Sequence, residues 1–325
     1  MKLATLNNGT PDGRLHLISR DLNRAVPARA AATMQAALEA WETVEADLAA
    51  QYDSLNKGTE TEATAFNQAD ALAPLPRAWQ WLDGSAYESH GDLMDTVFGM
   101  QKKEKTGRPL MYQGVSDRFH PPAADVPFPS TDDGIDFEGE FGIIVSATPM
   151  STPARDASKY IRLIVQINDW SLRKLAPVEM KTGFGWVQAK PPCSMAPVAV
   201  TPDELGSSWR DARVDLPLNV AWNGQKFGAA NGYHMAFGFD DLVAYAAYSR
   251  NLVPGTIIGS GTVSNANYRE VGSSCIAERR GIEMLDLGEP KTAFMSFGDR
   301  VKMEVFLPDG TPVFGAIDQK VVKAG

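Results

Sequence analysis

The segment Ile135-Asp-Phe-Glu-Gly-Glu-Phe-Gly-Ile-Ile-Val145 places Ile135, Phe137, Phe141, Ile143 and Val145 on one parity and Glu138 and Glu140 on the other. Strict alternation is the pattern of a strand with one packed face. Two carboxylates two residues apart on such a strand point the same way, about 7 Å apart. Their repulsion is roughly 2 kcal/mol at an effective dielectric near 20, and about 0.6 kcal/mol in bulk water. The pair is tolerable on a wet surface and destabilising in a pocket, unless a cation sits between the two acids.

A second segment, Leu163-Ile-Val-Gln-Ile-Asn-Asp-Trp170, bears on the same point. Ile161, Leu163, Val165 and Ile167 share a parity, and the next residue in phase is Asp169. A carboxylate on the apolar face of a strand needs a partner or must neutralise. Two readings stand at this point. Either a hard divalent cation satisfies all three acids, or Glu138 and Glu140 line a solvated face and Asp169 caps a turn.

The chain has 325 residues, enough for one large or two ordinary domains. Its formal charge is -9, and no Lys/Arg-rich run is present, which argues against a nucleic-acid partner. An anionic substrate must be drawn by local cations or a metal rather than by the overall field. Two cysteines, Cys193 and Cys275, are too few for a disulfide framework and suit a reducing compartment. The first residues turn polar before a signal-peptide core develops, and no apolar run reaches the roughly 18 residues of a membrane span. The expectation is a cytoplasmic protein without membrane contact.

Short strands around turns are expected over residues 1–24, and a helix from Ala28 to about Tyr52 on the spacing of Met34, Leu38, Trp41, Val44 and Leu48. Residues 55–72 read as a polar linker, broken by Pro74 and Pro76. This divides the chain into a small N-terminal domain, 1–75, and a larger one, 76–325. Beyond residue 78 the pattern is mostly strand, with one clear helix starting from an N-cap at Asp240 or Asp241. A C-terminal hairpin turns at Asp309-Gly310. Strands without regular βαβ alternation argue for a mostly β fold with α+β elements and against a doubly wound sheet.

Individual motifs are weak. Gly259-Ser-Gly261-Thr262 lacks the Gly-Lys-Thr of a phosphate loop and reads as a tight turn that can offer backbone donors. His16, His90, His120 and His234 show no zinc-ligand spacing, and no Gly-x-Ser-x-Gly elbow occurs. Asp83 and His90 put an acid and a base seven residues apart, in what otherwise reads as a surface turn. Lys190 reads as a solvated lysine, and Glu278 as an exposed acid on a strand.

Taken in order, these pieces resemble the fumarylacetoacetate hydrolase family, in its bacterial, fumarylacetoacetase-like form. The resemblance rests on Asp83 with His90, Tyr112 in Met111-Tyr-Gln-Gly114, Glu138-Gly-Glu140, Asn168-Asp-Trp-Ser-Leu-Arg173, Lys190, Gly261-Thr262 and Glu278. It runs from about Trp81 to the C-terminus, and residues 1–75 resemble the small extra domain of the longer members. It implies a rolled mixed sheet around a metal, a small N-terminal αβ domain, and a homodimer, for which Trp79, Trp81 and Trp170 offer apolar surface. Asp83, Glu138, Glu140 and Asp169 would be ligands of Mg²⁺, with Mn²⁺ or Ca²⁺ as alternatives. His90 with Glu278 would activate water, Lys190 would stabilise oxyanion charge, and Tyr112, Arg173 and Thr262 would contact substrate.

The implied activity is hydrolysis of a carbon–carbon bond in a 1,3-diketo acid from aromatic-compound catabolism. A 2-oxo acid hydratase, isomerase or decarboxylase is the alternative within the family, and a non-catalytic metal-binding β-protein the alternative outside it. Ser85, Ala176 and Pro191-Pro192 depart from the family pattern. So does the lack of an arginine after the histidine, where Lys102 and Lys103 are the nearest cations.

Overall fold

The computed structural model describes residues 1–97 and 107–325; Lys102 and Lys103 lie outside them. Among the described residues, eleven strands form one sheet. Its main path runs Thr64–Ala65, Arg24–Pro27, Arg14–Ile18, Lys2–Leu6, Val198–Val200, Ile161–Asn168, Gly139–Val145, Thr256–Gly259, Trp81–Gly84 and Met111–Gly114. The early strands expected over residues 1–24 are therefore the outer part of the sheet that carries the two acidic segments. A second sheet of five strands contains the C-terminal hairpin, Arg300–Phe306 against Pro312–Lys323. The molecule is mixed α+β and mostly strand, as its alternating patterns imply.

The acidic strand is packed on both faces rather than one. Phe141, Ile143 and Val145 enter a core shared with Leu218, Met303 and Phe314 of the five-stranded sheet. Ile144 faces the opposite way, into a core shared with Trp41, Leu48 and Leu55 of the Trp41–Lys57 helix. Sandwiching a central strand between a sheet and a helix removes the solvated face that alternation alone would suggest. The strand is also broken. Ile135–Asp136 pairs with Ser171–Leu172, and only Gly139–Val145 enters the large sheet. Glu138 sits at the break, its N–H donating to Asn168 Oδ1 at 2.9 Å and its carbonyl accepting the Asp169 N–H at 2.9 Å.

The neighbouring strand departs from simple parity too. A register shift between Ile161 and Leu163 turns Ile161 towards the first core, while Leu163, Val165 and Ile167 stay in the second. Such a bulge inserts one residue and flips the phase. Asp169 lies just beyond the strand end.

The expected N-terminal helix starts later and is split into Met34–Glu39 and Trp41–Lys57, ending at Gly58 with φ 75°. The stretch taken as a linker contributes the last helical turn and the Thr64–Ala65 strand. The later helix spans Phe239–Ala246, and its N-cap is Gly238, whose N–H donates to Asp241 Oδ2 at 3.0 Å. Asp241 therefore acts from inside the first turn. Two helices of ten or more residues were hidden in the sequence, Glu88–Val97 and Ile276–Leu287, besides shorter ones such as Ala176–Thr182. Trp81 and Trp170 are buried within the subunit and unavailable to an interface, whereas Trp79 is exposed. No helix among the described residues is long and apolar enough to cross a membrane.

Candidate active site

Three carboxylates converge where the large sheet's central strands end. Asp83 lies on Trp81–Gly84, which runs parallel to Thr256–Gly259 with Asp83 opposite Gly259. Glu140 comes from Gly139–Val145, and Asp169 follows Ile161–Asn168. All three are buried, and an oxygen from each lies within 4.8 Å of the others. The floor of the cluster has to be glycine. A Cβ on Gly259 would stand 2.4 Å from Asp83 Oδ1 and 3.0 Å from Glu140 Oε2.

Partners are unevenly shared. Asp169 accepts from Lys190 Nζ at 2.6 Å, Tyr112 OH at 2.7 Å and the Cys193 thiol at 3.0 Å. Asp83 accepts the Gly261 N–H at 3.2 Å, so the glycine turn supplies a backbone donor to a carboxylate. Neither oxygen of Glu140 meets a donor, although both are buried. Burial, then the charges of Asp83 and Asp169, push Glu140 well above the usual carboxylate range. Burial and then Asp169 do the same to Asp83.

Glu138 is one strand step away in a different setting. Its Oε1 lies 2.8 Å from Lys190 Nζ and 3.0 Å from Arg173 Nη2, and it also accepts from the Ser171 and Thr262 hydroxyls. Burial works against its charge, but Arg173 and Lys190 outweigh it and hold Glu138 below the ordinary range. Lys190 is buried rather than solvated, its Nζ 5.6 Å from the ring centres of both Tyr112 and Trp186. Burial lowers its basicity, yet Asp169 and Glu138 more than restore it. Arg173 Nε also donates to Asp136 Oδ2 at 2.8 Å. With Arg173 held by Asp136 and Glu138, and Lys190 shared between Glu138 and Asp169, the three-acid cluster is short of positive charge among the described residues. Its all-oxygen donor set and the two orphaned oxygens of Glu140 fit a hard divalent cation.

The second group lies on the two hidden helices. His90 is on Glu88–Val97, and Glu278 is in the first turn of Ile276–Leu287. Glu278 is fully buried, not exposed on a strand. His90, Cys275 and Glu278 each bring one donor atom within 4.8 Å of the other two. His90 Nδ1 and Glu278 Oε2 are both buried without a partner among the described residues. Glu278 Oε1 accepts from Ser264, whose oxygen in turn accepts from Ser89 at 2.8 Å. Burial pushes His90 down to about 4 and Glu278 up to about 7. The imidazole is therefore a neutral base over the whole range in which Glu278 titrates.

The helix start that carries Glu278 is anchored from below. Asp136 accepts the Ile276 and Ala277 N–H groups at 2.7 and 2.9 Å, and Cys275 Sγ accepts the Glu278 N–H at 3.3 Å. Asp136, Ser264, Cys193 and Cys275 were not singled out from the sequence. A signal for Asp136 existed, since it shares the parity of Glu138 and Glu140.

Comparison with known proteins agrees with this architecture. Residues 80–322 match the family model described as fumarylacetoacetate (FAA) hydrolase C-terminal, and residues 1–77 match fumarylacetoacetase N-terminal domain 2. A 2,4-didehydro-3-deoxy-L-rhamnonate hydrolase of Sphingomonas sp. (strain SKA58) is 27% identical over 157 residues, 47% of this chain and 52% of its own length. A mitochondrial oxaloacetate tautomerase of Rattus norvegicus is 24% identical over 157 residues, covering 47% and 48%. The chain thus spans about half the length of these two curated relatives. The solved structure of maleylpyruvate hydrolase from Sphingobium sp. SYK-6, in complex with manganese(II) and pyruvate, superposes with a TM-score of 0.66. It is 16% identical, with 100% of both chains covered, and at that identity the likeness is one of fold.

Proposed function

Since this chain belongs to the fumarylacetoacetate hydrolase family, we propose that it is a metal-dependent hydrolase cleaving a carbon–carbon bond in a 1,3-diketo acid. The substrate class is the fumarylacetoacetate or acylpyruvate type met in the breakdown of aromatic compounds. One observation carries this reading: a half-buried histidine and a buried glutamate stand side by side, with Cys275, in a group separate from the three-acid cluster. Such a pair supplies a general base and a carboxylate to support it, which the holding of a cation by the acid cluster does not require.

Asp83, Glu140 and Asp169, joined by Glu138, would hold Mg²⁺, with Mn²⁺ or Ca²⁺ as alternatives. When bound, that ion supplies Lewis-acid polarisation of a substrate carbonyl. The His90 imidazole takes a proton from water, and Glu278 in its ionised form stabilises the imidazolium that results. Ser264 fixes the orientation of Glu278 by hydrogen bonding to one of its oxygens. Lys190 keeps a fixed positive charge at the edge of the pocket, where it offsets negative charge as the leaving carbanion becomes an enolate. Tyr112, Arg173 and Thr262, whose donors meet Asp169 and Glu138, would turn hydroxyl and guanidinium groups to substrate oxygens.

The test is a panel of acylpyruvates and fumarylacetoacetate-like diketones, incubated with protein and Mg²⁺ while diketone absorbance is followed. Mg²⁺-dependent loss of absorbance with two acid products is expected. Interconversion of substrate without cleavage would move the reading to an isomerase or tautomerase, and release of CO₂ to a decarboxylase.

A further inference from the structure

We infer that His90, Cys275 and Glu278 form a second metal site, for a borderline divalent ion of the Zn²⁺ type, and that filling it disables the base. The site is distinct from the oxygen-only cluster of Asp83, Glu140 and Asp169. It offers one nitrogen, one sulfur and one oxygen, all within 4.8 Å of one another. Cys275 and Glu278 are fully buried. His90 and Glu278 each carry a buried polar atom, Nδ1 and Oε2, that lacks any partner among the described residues. Orphaned polar atoms of this kind are the exception in folded proteins and mark a place for a ligand.

Donor chemistry separates the two sites. Mg²⁺ and Ca²⁺ take oxygen, whereas a set of imidazole, thiolate and carboxylate with a fourth position open suits zinc. Zinc bonds of about 2.0–2.3 Å put tetrahedral ligand atoms roughly 3.3–3.8 Å apart. The side chains therefore need to draw in by at most about 1.5 Å, a shift that the half-buried His90 side chain is placed to make. Cys275 Sγ accepts the Glu278 N–H at the start of the helix, while burial and then Asp136 push the thiol up, so it is the metal bond that must draw the proton off. On binding, the thiol proton leaves to solvent as the sulfur–metal bond forms, and no electron is transferred.

Occupation ties up the His90 lone pair. Under the hydrolase reading above, turnover then stops even when Mg²⁺ is saturating; the binding itself does not rest on that reading.

Cobalt(II) is the probe, because its thiolate complexes absorb in the near ultraviolet. The full-length protein, saturated with Mg²⁺, is titrated with Co²⁺ and then with Zn²⁺. A thiolate band that Zn²⁺ displaces is expected. The chain has only two cysteines, and Cys193 bonds to Asp169 at the oxygen cluster, so the band can be assigned. It should survive in Cys193→Ser and be lost in Cys275→Ser, whose hydroxyl preserves the helix cap. Should Cys275→Ser fail to fold, the same loss in His90→Ala decides the matter. No band in the unmodified protein, or a band lost in Cys193→Ser, overturns the site. Equal zinc inhibition of the unmodified and Cys275→Ser proteins overturns the inhibitory role. A wrong hydrolase reading shows up elsewhere, as no diketone cleavage with Mg²⁺ alone, and leaves the cobalt band untouched.

Discussion

Glu138 and Glu140 are two residues apart and meet opposite electrostatic conditions. Glu138 is held by Arg173 and Lys190, while both oxygens of Glu140 are buried beside two more acids without a donor. Removing Glu140 or Asp169 should therefore take away most Mg²⁺ or Mn²⁺ affinity, read by calorimetric titration of Glu140→Ala and Asp169→Ala; unchanged isotherms in both would sink the metal assignment. At the neighbouring pair, the directions of the two shifts fix a pH profile. His90 is neutral above about 4, and Glu278 ionises only near 7. Turnover should rise with pH through about 7, as the carboxylate that supports the imidazolium appears. Glu278→Gln should erase that limb and lower kcat by roughly 10²-fold or more, while leaving metal affinity nearly intact. The double variant with His90→Ala should be scarcely worse than either single one, because groups acting as a unit are not additive. A limb that persists in Glu278→Gln belongs to some other residue.

The Ile276–Leu287 helix explains both what the sequence revealed and what it hid. Its inward residues include Ala277, Glu278 and Gly281, small or charged groups that leave no 3.6-residue stripe of large apolar side chains. The Glu88–Val97 helix begins Glu-Ser-His-Gly, which reads as a polar turn for the same reason. Strands were far more legible, because the central ones are filled with Ile, Val and Phe, and the terminal hairpin carries its own turn residues. What alternation could not reveal was the break at Glu138 and the bulge after Ile161, both set by contacts with segments distant in sequence. The ordered motif residues were legible as a resemblance, but the serine and cysteine supports around them carry no pattern of their own. The helix start also makes a stability prediction. Asp136 satisfies two N–H groups and pairs with Arg173 inside the protein. Asp136→Ala leaves the two N–H groups unmatched and Arg173 with Glu138 alone, and should destabilise by about 3–5 kcal/mol, the range for breaking a buried ion pair. Urea unfolding would measure this, and a loss under about 1 kcal/mol, the scale of an exposed pair, would show that the contact is solvated.

On the scale of the whole molecule, the large sheet is held between a helix on one face and a second sheet on the other, with the acids near its centre. In the stretch of chain between Arg173 and Lys190, Val178, Met180, Phe184 and Val187 are exposed, Phe184 to 98%. Apolar side chains gathered this way mark an association surface more often than a bare one. Light scattering in dilute solution should give about twice 35.2 kDa; a monomer at every concentration would contradict the homodimer. The path of the sheet has a further consequence, for synthesis. Lys2, Leu3 and Ala4 pair with Val200, Ala199 and Val198, so this strand borders one made almost two hundred residues later. At roughly 5–20 residues per second, a ribosome needs roughly 10–40 s to bridge that interval. Leu3, Leu15 and Leu17 can meet Trp41, Leu48 and Leu55 early, but through that time the hairpin keeps one bare strand edge, the condition in which growing chains stick to one another. The demand on chaperones thus falls on the segment most distant from the chemistry, and a translational pause before Val198 would lengthen the hazard without altering a single catalytic contact.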